Sequence, residues 1–222
     1  MAEPSWFAAV VEKARERARS EVAAVRAANP KEDEVALGRR LVRTAANRAG
    51  LYGAATGVLA LVTLPIGLPA GVAATMFVEA GLLFALLELF GLDTRGEEGR
   101  LRLYALWAGG GFADAAKSAG LRAGASALGR VLRESLPGQI IRRLNPALVR
   151  AILKRLGLGW IPRALKLWPV LGAPISYLLD RSAVSSLGEA ALATLHDEAR
   201  ASRKAPKVRP RRQVKVRRKA SV

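Results

Sequence analysis

Residues 50–93, GLYGAATGVLALVTLPIGLPAGVAATMFVEAGLLFALLELFGLD, decide the fold of this 222-residue chain. No charged side chain occurs between Arg48 and Glu79, and most of the segment is apolar or small. A stretch that is apolar on every side forms either a buried pair of helices or a membrane hairpin. The sequence allows both alternatives.

Two prolines divide this segment into two arms. Pro65 and Pro69 lack backbone N–H donors, and each restricts the residue before it. The first arm is therefore expected to stop near Thr63, and the second arm is expected to start after Pro69. Pro65, Gly67 and Pro69 are predicted to form the hinge of a helical hairpin.

Glycines spaced four residues apart are frequent in the hairpin and after it. They occur at Gly53 and Gly57, at Gly67 and Gly71, and at Gly120 and Gly124. This spacing permits close contact between helix backbones, in lipid or in water. Tightly packed helix pairs are therefore predicted.

Helical periodicity extends along the rest of the chain. A first helix is predicted over Ser5–Ala28, with one apolar stripe formed by Trp6, Val10, Ala14, Ala18, Val22 and Val25. Further helices are predicted from residue 31, over 101–137 with a break at Gly109–Gly111, over 146–157 after an Asn145 N-cap, and over 172–202. No run alternates apolar and polar residues for long enough to indicate a strand. The predicted fold class is all-α, a helical bundle around a central apolar, Gly/Pro-interrupted hairpin.

The composition divides the chain into three parts. Residues 1–30 are predicted to form an amphipathic N-terminal helix, residues 31–199 a helical domain, and residues 200–222 a disordered basic tail, because its charges repel one another. The absence of cysteine excludes disulfides, thiolate metal ligands and cysteine nucleophiles. The N-terminus has no continuous apolar region typical of a secretory signal, so an intracellular location is expected.

Positive charge is concentrated in the second half of the chain. The formal net charge is +18; residues 1–98 hold 11 basic and 12 acidic side chains, whereas residues 99–222 hold 25 and 6. The tail alone has 11 basic residues and no acid. A field of this sign attracts polyanions, either phosphodiester or anionic lipid, without choosing between them. The tail has no aromatic residue to stack on a base, so sequence-specific reading of nucleic acid is not expected.

The stretch from Ser135 to Leu179 contains no acid and seven bases. Its predicted helix 146–157 opposes leucine and isoleucine to basic residues, which is typical of a helix at an anionic membrane interface. A solvated basic face above an ordinary core is the alternative. The candidate residues for anionic-surface binding are Arg142, Arg143, Arg150, Lys154 and Arg155 here, and Arg211, Arg212, Arg217 and Arg218 in the tail.

Two stretches resemble the most recognisable segments of the bacterial EcsC family. In the first segment, a Thr-Gly start leads through a Leu-Pro pair into a long apolar helix and an aromatic-Gly-x-Asp corner. In the second, a Pro-x-x-Gly turn leads into a helix with a polar residue near its middle and a Gly-x-Ala-Ala-like end. The matching positions are Thr56, Gly57, Leu68, Pro69, Phe90, Gly91 and Asp93, and then Pro169, Gly172, Asp180 and Gly188.

The resemblance covers residues 35–195 and departs from the family pattern at two places. Gly67 stands where an acid often precedes the Leu-Pro pair, and Asp180 stands where Asn is usual. The resemblance implies a helical bacterial protein with no established catalytic activity, whose founding member is encoded beside an ABC transporter. A transporter is therefore an expected protein partner.

The residues that could carry chemistry form no recognisable constellation. His196 is the only histidine, and the acids beside it point in different directions around a helix, so they cannot join it on one metal ion. The chain has no GxSxG, GxGxxG or GxxxxGK[ST] motif. We therefore predict no enzyme, no metal and no cofactor. The alternative, an enzyme of unrecognised type, would need Glu79, Asp114 and Asp180 to converge inside the fold.

These features together predict a non-enzymatic, EcsC-like helical protein on the cytoplasmic side of the bacterial inner membrane. It would bind there peripherally or integrally, through the apolar hairpin, the basic helix 146–157 and the tail. The alternative is a soluble nucleic-acid-associated protein that binds phosphate through the tail.

Overall fold

The computed structural model describes residues 5–59, 64–120, 125–158 and 172–204, and their regular structure is entirely helical. Eight α-helices are present in these ranges: α1 (Ser5–Ala28), α2 (Glu34–Leu59), α3 (Leu64–Leu89), α4 (Gly96–Ala108), α5 (Phe112–Ser118), α6 (Ala125–Arg133), α7 (Gly138–Leu158) and α8 (Gly172–Lys204). The predicted all-α helical bundle is confirmed. The predicted tail begins inside α8, and from residue 205 onward it lies outside the described residues.

The helix α3 is the centre of the bundle. The six consecutive side chains of residues 82–87 are all buried, and so are Met76 and Leu89. The helices α1, α2, α4 and α8 all pack against α3. A helix that is apolar on every side needs such neighbours on every side. In this structure the described part of the second hairpin arm therefore belongs to the protein core, which agrees with the alternative of a buried pair of helices.

The predicted hinge is not a break between helices. α2 ends at Leu59 and α3 already begins at Leu64, so Pro65, Gly67 and Pro69 lie in the first two turns of α3. Pro65 is the second residue of α3, where a backbone N–H has no intrahelical acceptor, so it loses no hydrogen bond. Pro69 is the sixth residue, where a proline removes one intrahelical hydrogen bond, and the helix continues through it. The helices join through residues 60–63, which lie outside the described part of the chain.

The first hairpin arm is the second half of a longer helix. α2 continues without interruption from Glu34, through the charged segment before Gly50, to Leu59. It packs along its length on α8. A side chain at Gly53 would overlap the Asp180 carboxylate and would place its Cβ 2.8 Å from the Ser176 carbonyl oxygen. The close approach predicted at Gly53 is therefore confirmed.

The boundaries of α1 agree with the prediction, and so do the last three of its buried residues, but the buried stripe begins with Phe7 and Val11 in place of Trp6 and Val10. The buried side chains are Phe7, Val11, Ala14, Ala18 and Val22, whereas Trp6 is 47% exposed. Phe7 stacks on Trp107, with ring centroids 5.7 Å apart, and also contacts Tyr104. These aromatic contacts favour the burial of Phe7 over that of Trp6, because an aromatic pair adds stability beyond the area that it buries.

The predicted helix after Gly111 needs correction. The Ala/Gly-rich helix predicted to reach Pro137 is divided into α5 and α6, because Gly120 has φ +81° and ends the first of them. The predicted break at Gly109–Gly111 is confirmed as a 3₁₀ turn.

The helix α7 is longer than predicted, because it continues through Pro146 from Gly138. A proline inside a helix costs about 3 kcal/mol, since it removes a backbone hydrogen bond and crowds the preceding turn. Apolar side chains on both sides of Pro146 keep one helical register and are buried, namely Ile141, Leu144, Leu148 and Ile152. Their burial offsets the cost, at about 1.5–3 kcal/mol for each side chain.

The corner after α3 is closed by specific backbone contacts. Gly91 has φ +71°, the Leu92 N–H donates to the Leu87 backbone carbonyl at 2.9 Å, and the Gly91 N–H donates to the Glu88 backbone carbonyl at 3.1 Å. This is the Schellman arrangement that ends helices at a glycine. It explains in structural terms why the aromatic-Gly-x-Asp pattern ends the long apolar helix.

The buried Arg102 fixes α4 against this corner. Its guanidinium donates to the Asp93 carbonyl at 2.7 Å and to the Leu132 carbonyl at 3.1 Å. Because Leu132 belongs to α6, one buried side chain ties α4, the corner and α6 together. Buried charged groups of this kind are tolerated where hydrogen bonds satisfy them.

We predict that Gly53→Ala destabilises the bundle because the new methyl group forces α2 and α8 apart. The free energy of unfolding should fall by about 1–3 kcal/mol, as measured by urea denaturation. Gly138→Ala is the matched control, since apart from the adjacent backbone of its own helix no atom lies within 4 Å of the methyl position there. Equal effects of the two substitutions would contradict the close packing of α2 on α8.

Candidate surface-binding site

The antiparallel pair of α2 and α8 defines two ends of the bundle. Gly38 lies against Leu192, and Gly50 lies against Tyr177. α2 therefore finishes at the end where α8 begins. We call this the apolar end, for the side chains described below, and we call the opposite end the acidic end.

The helices α1 and α3 are parallel and both begin at the apolar end. The Ala14 carbonyl lies beside Gly81, and further along α1 the Arg26 guanidinium donates to the Leu89 carbonyl at 2.8 Å. Only residues 60–63 separate the start of α3 from the end of α2. The α1–α2 and α3–α4 connections therefore lie at the acidic end.

The helix α7 runs towards the apolar end. Ser135, just before α7, donates to Glu98 in the first turn of α4 at 3.2 Å. Ala151, late in α7, lies against Gly111, which follows α4. α7 therefore runs in the same direction as α4, away from the acidic end.

The large hydrophobic side chains that the described residues leave exposed lie in the half of the bundle that is nearer the apolar end. They are Trp6, Leu51, Tyr52, Leu178 and Leu179. The exposed fraction is 63% for Leu51 and 60% for Leu178. Single exposed hydrophobic residues are ordinary, whereas a contiguous exposed apolar patch marks a surface that contacts a partner or a membrane.

The acidic end carries carboxylates engaged in ion pairs. Glu32 pairs with Arg40, and Glu34 pairs with Arg203 at 3.4 Å. The hydrogen bond from Arg40 lowers the pKa of Glu32 below its ordinary value. These carboxylates lie away from the exposed leucines, so they would oppose the approach of the apolar end to an anionic surface only weakly.

The predicted basic residues of α7 lie on its exposed side. Arg142, Arg143 and Arg150 are exposed and form no ion pair with any of the described residues. Lys154 and Arg155 belong to the last turns of α7, and their side chains lie outside the description. The tail candidates Arg211, Arg212, Arg217 and Arg218 also lie outside it.

The apolar side of α7 is not available to a membrane. Leu148 and Ile152, which the sequence opposes to the basic residues, are buried. α7 packs against α4 and α5 with this side. This packing agrees with the interpretation of α7 as a solvated basic face above an ordinary core, and not with that of a helix whose apolar side enters a membrane. Only the exposed edge of arginines on α7 remains available to an anionic surface.

The three carboxylates of the enzyme hypothesis have different surroundings. Glu79 is buried and accepts a 2.6 Å hydrogen bond from the Trp107 indole N–H. The Asp180 carboxylate lies against Gly53, and Asp114 is exposed on α5. Because Asp114 faces solvent, the shielded group of three acids that this hypothesis requires is not formed.

Neither a metal-binding cluster nor a membrane-spanning helix is present among the described residues. In these ranges no three His, Asp or Glu side chains are close enough to hold one metal ion. His196 is partly exposed, and its Nδ1 lies 3.9 Å from the Asp197 carboxylate. In the same ranges, no helix combines the length and the apolarity needed to cross a membrane.

Comparison with known proteins does not place the chain in a family. No family model matches the sequence, and neither a curated protein nor a solved structure is found to be similar to it. The resemblance to the EcsC family therefore stays a prediction drawn from the residues quoted above.

Sequence reasoning missed the exposed leucines of the apolar end. One signal was available, because the helical face that starts at Leu178 continues with Ser182, Ser185 and Glu189. An apolar residue on a helical face that is otherwise polar does not point into the core. Trp6 gave no comparable signal, since its neighbour Phe7 is an equally good core residue.

We predict that Trp107→Phe lowers the free energy of unfolding by about 1–3 kcal/mol, because the buried Glu79 loses a hydrogen-bond donor. Urea denaturation followed by circular dichroism measures the change. Trp6→Phe serves as the control, and its exposed position predicts a change within about 0.5 kcal/mol. If both variants unfolded at the same urea concentration as the parent, the bond would contribute nothing to stability.

Proposed function

We propose that this chain is a non-enzymatic helical protein that docks on an anionic membrane surface with its apolar end. The observation that carries the proposal is that Trp6, Leu51 and Leu178 are exposed and all lie in the same half of the bundle, nearer the apolar end. Tryptophan, tyrosine and leucine beside basic residues are the composition with which proteins lie at the boundary of a bilayer.

Basic side chains accompany this end. Arg181 is exposed near Leu178 and lies over the Tyr177 ring, 5.9 Å from its centroid. Arg150 lies in the half of α7 that runs towards the apolar end. These positions allow cations to meet lipid phosphates while the leucines enter the interface.

The predicted cations should not contribute equally. A helix rises about 1.5 Å per residue, which places Arg142 about 12 Å before Arg150 along α7. Charges are screened over about 8 Å at physiological ionic strength. Arg150, Lys154 and Arg155 are therefore expected to contribute more to docking than Arg142 and Arg143.

The magnitudes support reversible attachment. Full burial of a leucine side chain is worth about 1.5–3 kcal/mol, and each basic residue near an anionic surface adds about 1 kcal/mol. Two partly inserted leucines and two cations then give about 4–5 kcal/mol, which is the range of peripheral binding. The EcsC resemblance supports the bacterial inner membrane as the site and a transporter as a protein partner.

We predict that the double substitution Leu51→Gln and Leu178→Gln weakens binding to vesicles by at least about tenfold, because it removes apolar surface from the interface. Co-sedimentation of the full chain with vesicles of phosphatidylcholine and phosphatidylglycerol measures the change. Ala24→Gln and Ala27→Gln, exposed in α1 near the acidic end, form the matched control and should leave binding unchanged.

The same measurement distinguishes the tail from the apolar end. If binding were unaffected by the leucine substitutions but lost on deletion of residues 205–222, the tail alone would be the contact and the proposal would be wrong. Retardation of duplex DNA that depends on the same deletion, without vesicle binding, would favour the nucleic-acid alternative.

A further inference from the structure

The start of α7 carries an arginine pair, Arg142 and Arg143, that docking by the apolar end does not use. These are the fifth and sixth residues of the helix, and both side chains are exposed. Neither of them forms an ion pair with the described residues. Residues 125–158 hold seven bases and one acid, Glu134, which pairs with Arg130 at 3.8 Å. The arginine pair therefore keeps its charge available to another anion.

The carboxylates that other helices place near the start of α7 have cationic partners of their own. Glu98 of α4 accepts a hydrogen bond from Ser135, just before α7, and lies 3.6 Å from the Arg102 guanidinium. Glu198 of α8 pairs with Arg133 of α6 at 3.0 Å. These two acids are therefore balanced by charges that belong to α4 and α6.

The surface around the arginine pair is polar and cationic, without apolar side chains that could enter a bilayer. The exposed large hydrophobic side chains of the described residues belong to α1, α2 and α8, and none belongs to α6 or α7. Ile141 and Leu144, which flank the pair, are buried. Such a surface attracts anions by charge alone, unlike a helix that lies in a membrane interface.

The position of the arginine pair selects among anionic partners. α7 begins at the acidic end, and at a rise of about 1.5 Å per residue Arg143 lies about 22 Å before Leu158, its last residue. Charges are screened over about 8 Å at physiological ionic strength. A membrane bound by the apolar end is therefore out of reach, and this step alone rests on the proposed function. The partner that remains is a polyanion in solution.

The structure brings the start of the basic tail to the same end of the bundle. α8 ends at Lys204, and Glu198 in its last turns lies against Gly129 and pairs with Arg133. Only residues 134–137 separate α6 from α7. Residues 205–222, which hold eight bases and no acid, therefore leave the folded part on the side where α7 begins. The two basic segments are far apart in the sequence.

We propose that the arginine pair and the tail together bind the phosphate backbone of duplex nucleic acid. Arginine forms two parallel hydrogen bonds with a phosphate, which lysine cannot do. α6 and α7 contain no aromatic residue to stack on an unpaired base, which favours a duplex over a single strand. Because phosphate contacts carry no sequence information, binding is independent of sequence. Two linked contacts also bind more tightly than the tail alone.

Titration of a short fluorescent DNA duplex with the full chain, followed by anisotropy without any membrane, tests the proposal. The double substitution Arg142→Gln and Arg143→Gln should weaken binding at least about tenfold at about 0.1 M salt. It should also reduce the slope of log affinity against log salt concentration by about 1.8, because each phosphate contact contributes about 0.9. Circular dichroism establishes that the variant is folded.

Arg39→Gln with Arg43→Gln is the matched control. Both arginines are exposed on α2 and form no ion pair with the described residues. α2 packs on α3, α3 on α4, and α4 on α7, so this pair lies on another side of the bundle. The control variant should keep the affinity and the salt dependence of the parent.

Two results of the DNA titration would overturn the proposal. One is equal affinity of the two double variants for the duplex. The other is binding that is lost on deletion of residues 205–222 but unaffected by Arg142→Gln with Arg143→Gln, because the tail would then be the only contact. Since the titration contains no membrane, it can fail independently of docking by the apolar end.

Co-sedimentation with anionic vesicles distinguishes nucleic acid from lipid as the partner of the arginine pair. We expect Arg142→Gln with Arg143→Gln to leave vesicle binding unchanged, whereas Leu51→Gln with Leu178→Gln weakens vesicle binding and leaves DNA binding unchanged. If the arginine variant lost vesicle binding to the same extent as DNA binding, the pair would serve anionic lipid, and the proposal would be wrong.

Discussion

The burial of α3 is the constraint on which the rest of the structure depends. Because residues 82–87 are consecutive and all buried, their side chains point in every direction around the helix axis, and each direction needs a neighbour. The helices α1, α2, α4 and α8 supply those neighbours. The contacts of Arg26 with the end of α3 and of Arg102 with the following corner hold these neighbours in register.

This arrangement gives the bundle its two unlike ends. The buried stripes of α1, α2, α7 and α8 are all used in packing the bundle. The core therefore needs no apolar side chains other than those that are already buried. Trp6, Leu51 and Leu178 nevertheless remain exposed at the end where α1 and α8 begin. Surface that packing does not require is the physical basis for assigning contact with a membrane to this end.

The sequence predicted those features that short stretches determine. The limits of α1, the glycine break after α4 and the course of α8 follow from local periodicity and from helix-breaking residues. It did not predict that α3 begins before Pro65, or that α7 continues through Pro146. Both positions look like helix boundaries locally, and packing of the apolar residues around them decides the outcome.

The candidate sites show the same limit. The opposition of Leu148 and Ile152 to Arg150 fits an interfacial helix and a core helix equally well, and only the packing against α4 distinguishes them. The ion-pair group of Arg17, Arg48 and Glu21 was beyond prediction for another reason. Arg17 and Arg48 are far apart in the sequence, and they meet on Glu21 only because α1 and α2 both pack on α3.

The orientation of the bundle on a bilayer is the direct test of docking by the apolar end. The chain contains no cysteine, so Leu178→Cys and Ala27→Cys each place one fluorophore, at the apolar end and at the acidic end respectively. On vesicles that contain anionic and brominated lipids, docking by the apolar end predicts strong quenching of the label at position 178 and little quenching at position 27. Equal quenching at both positions, or stronger quenching at position 27, would contradict it.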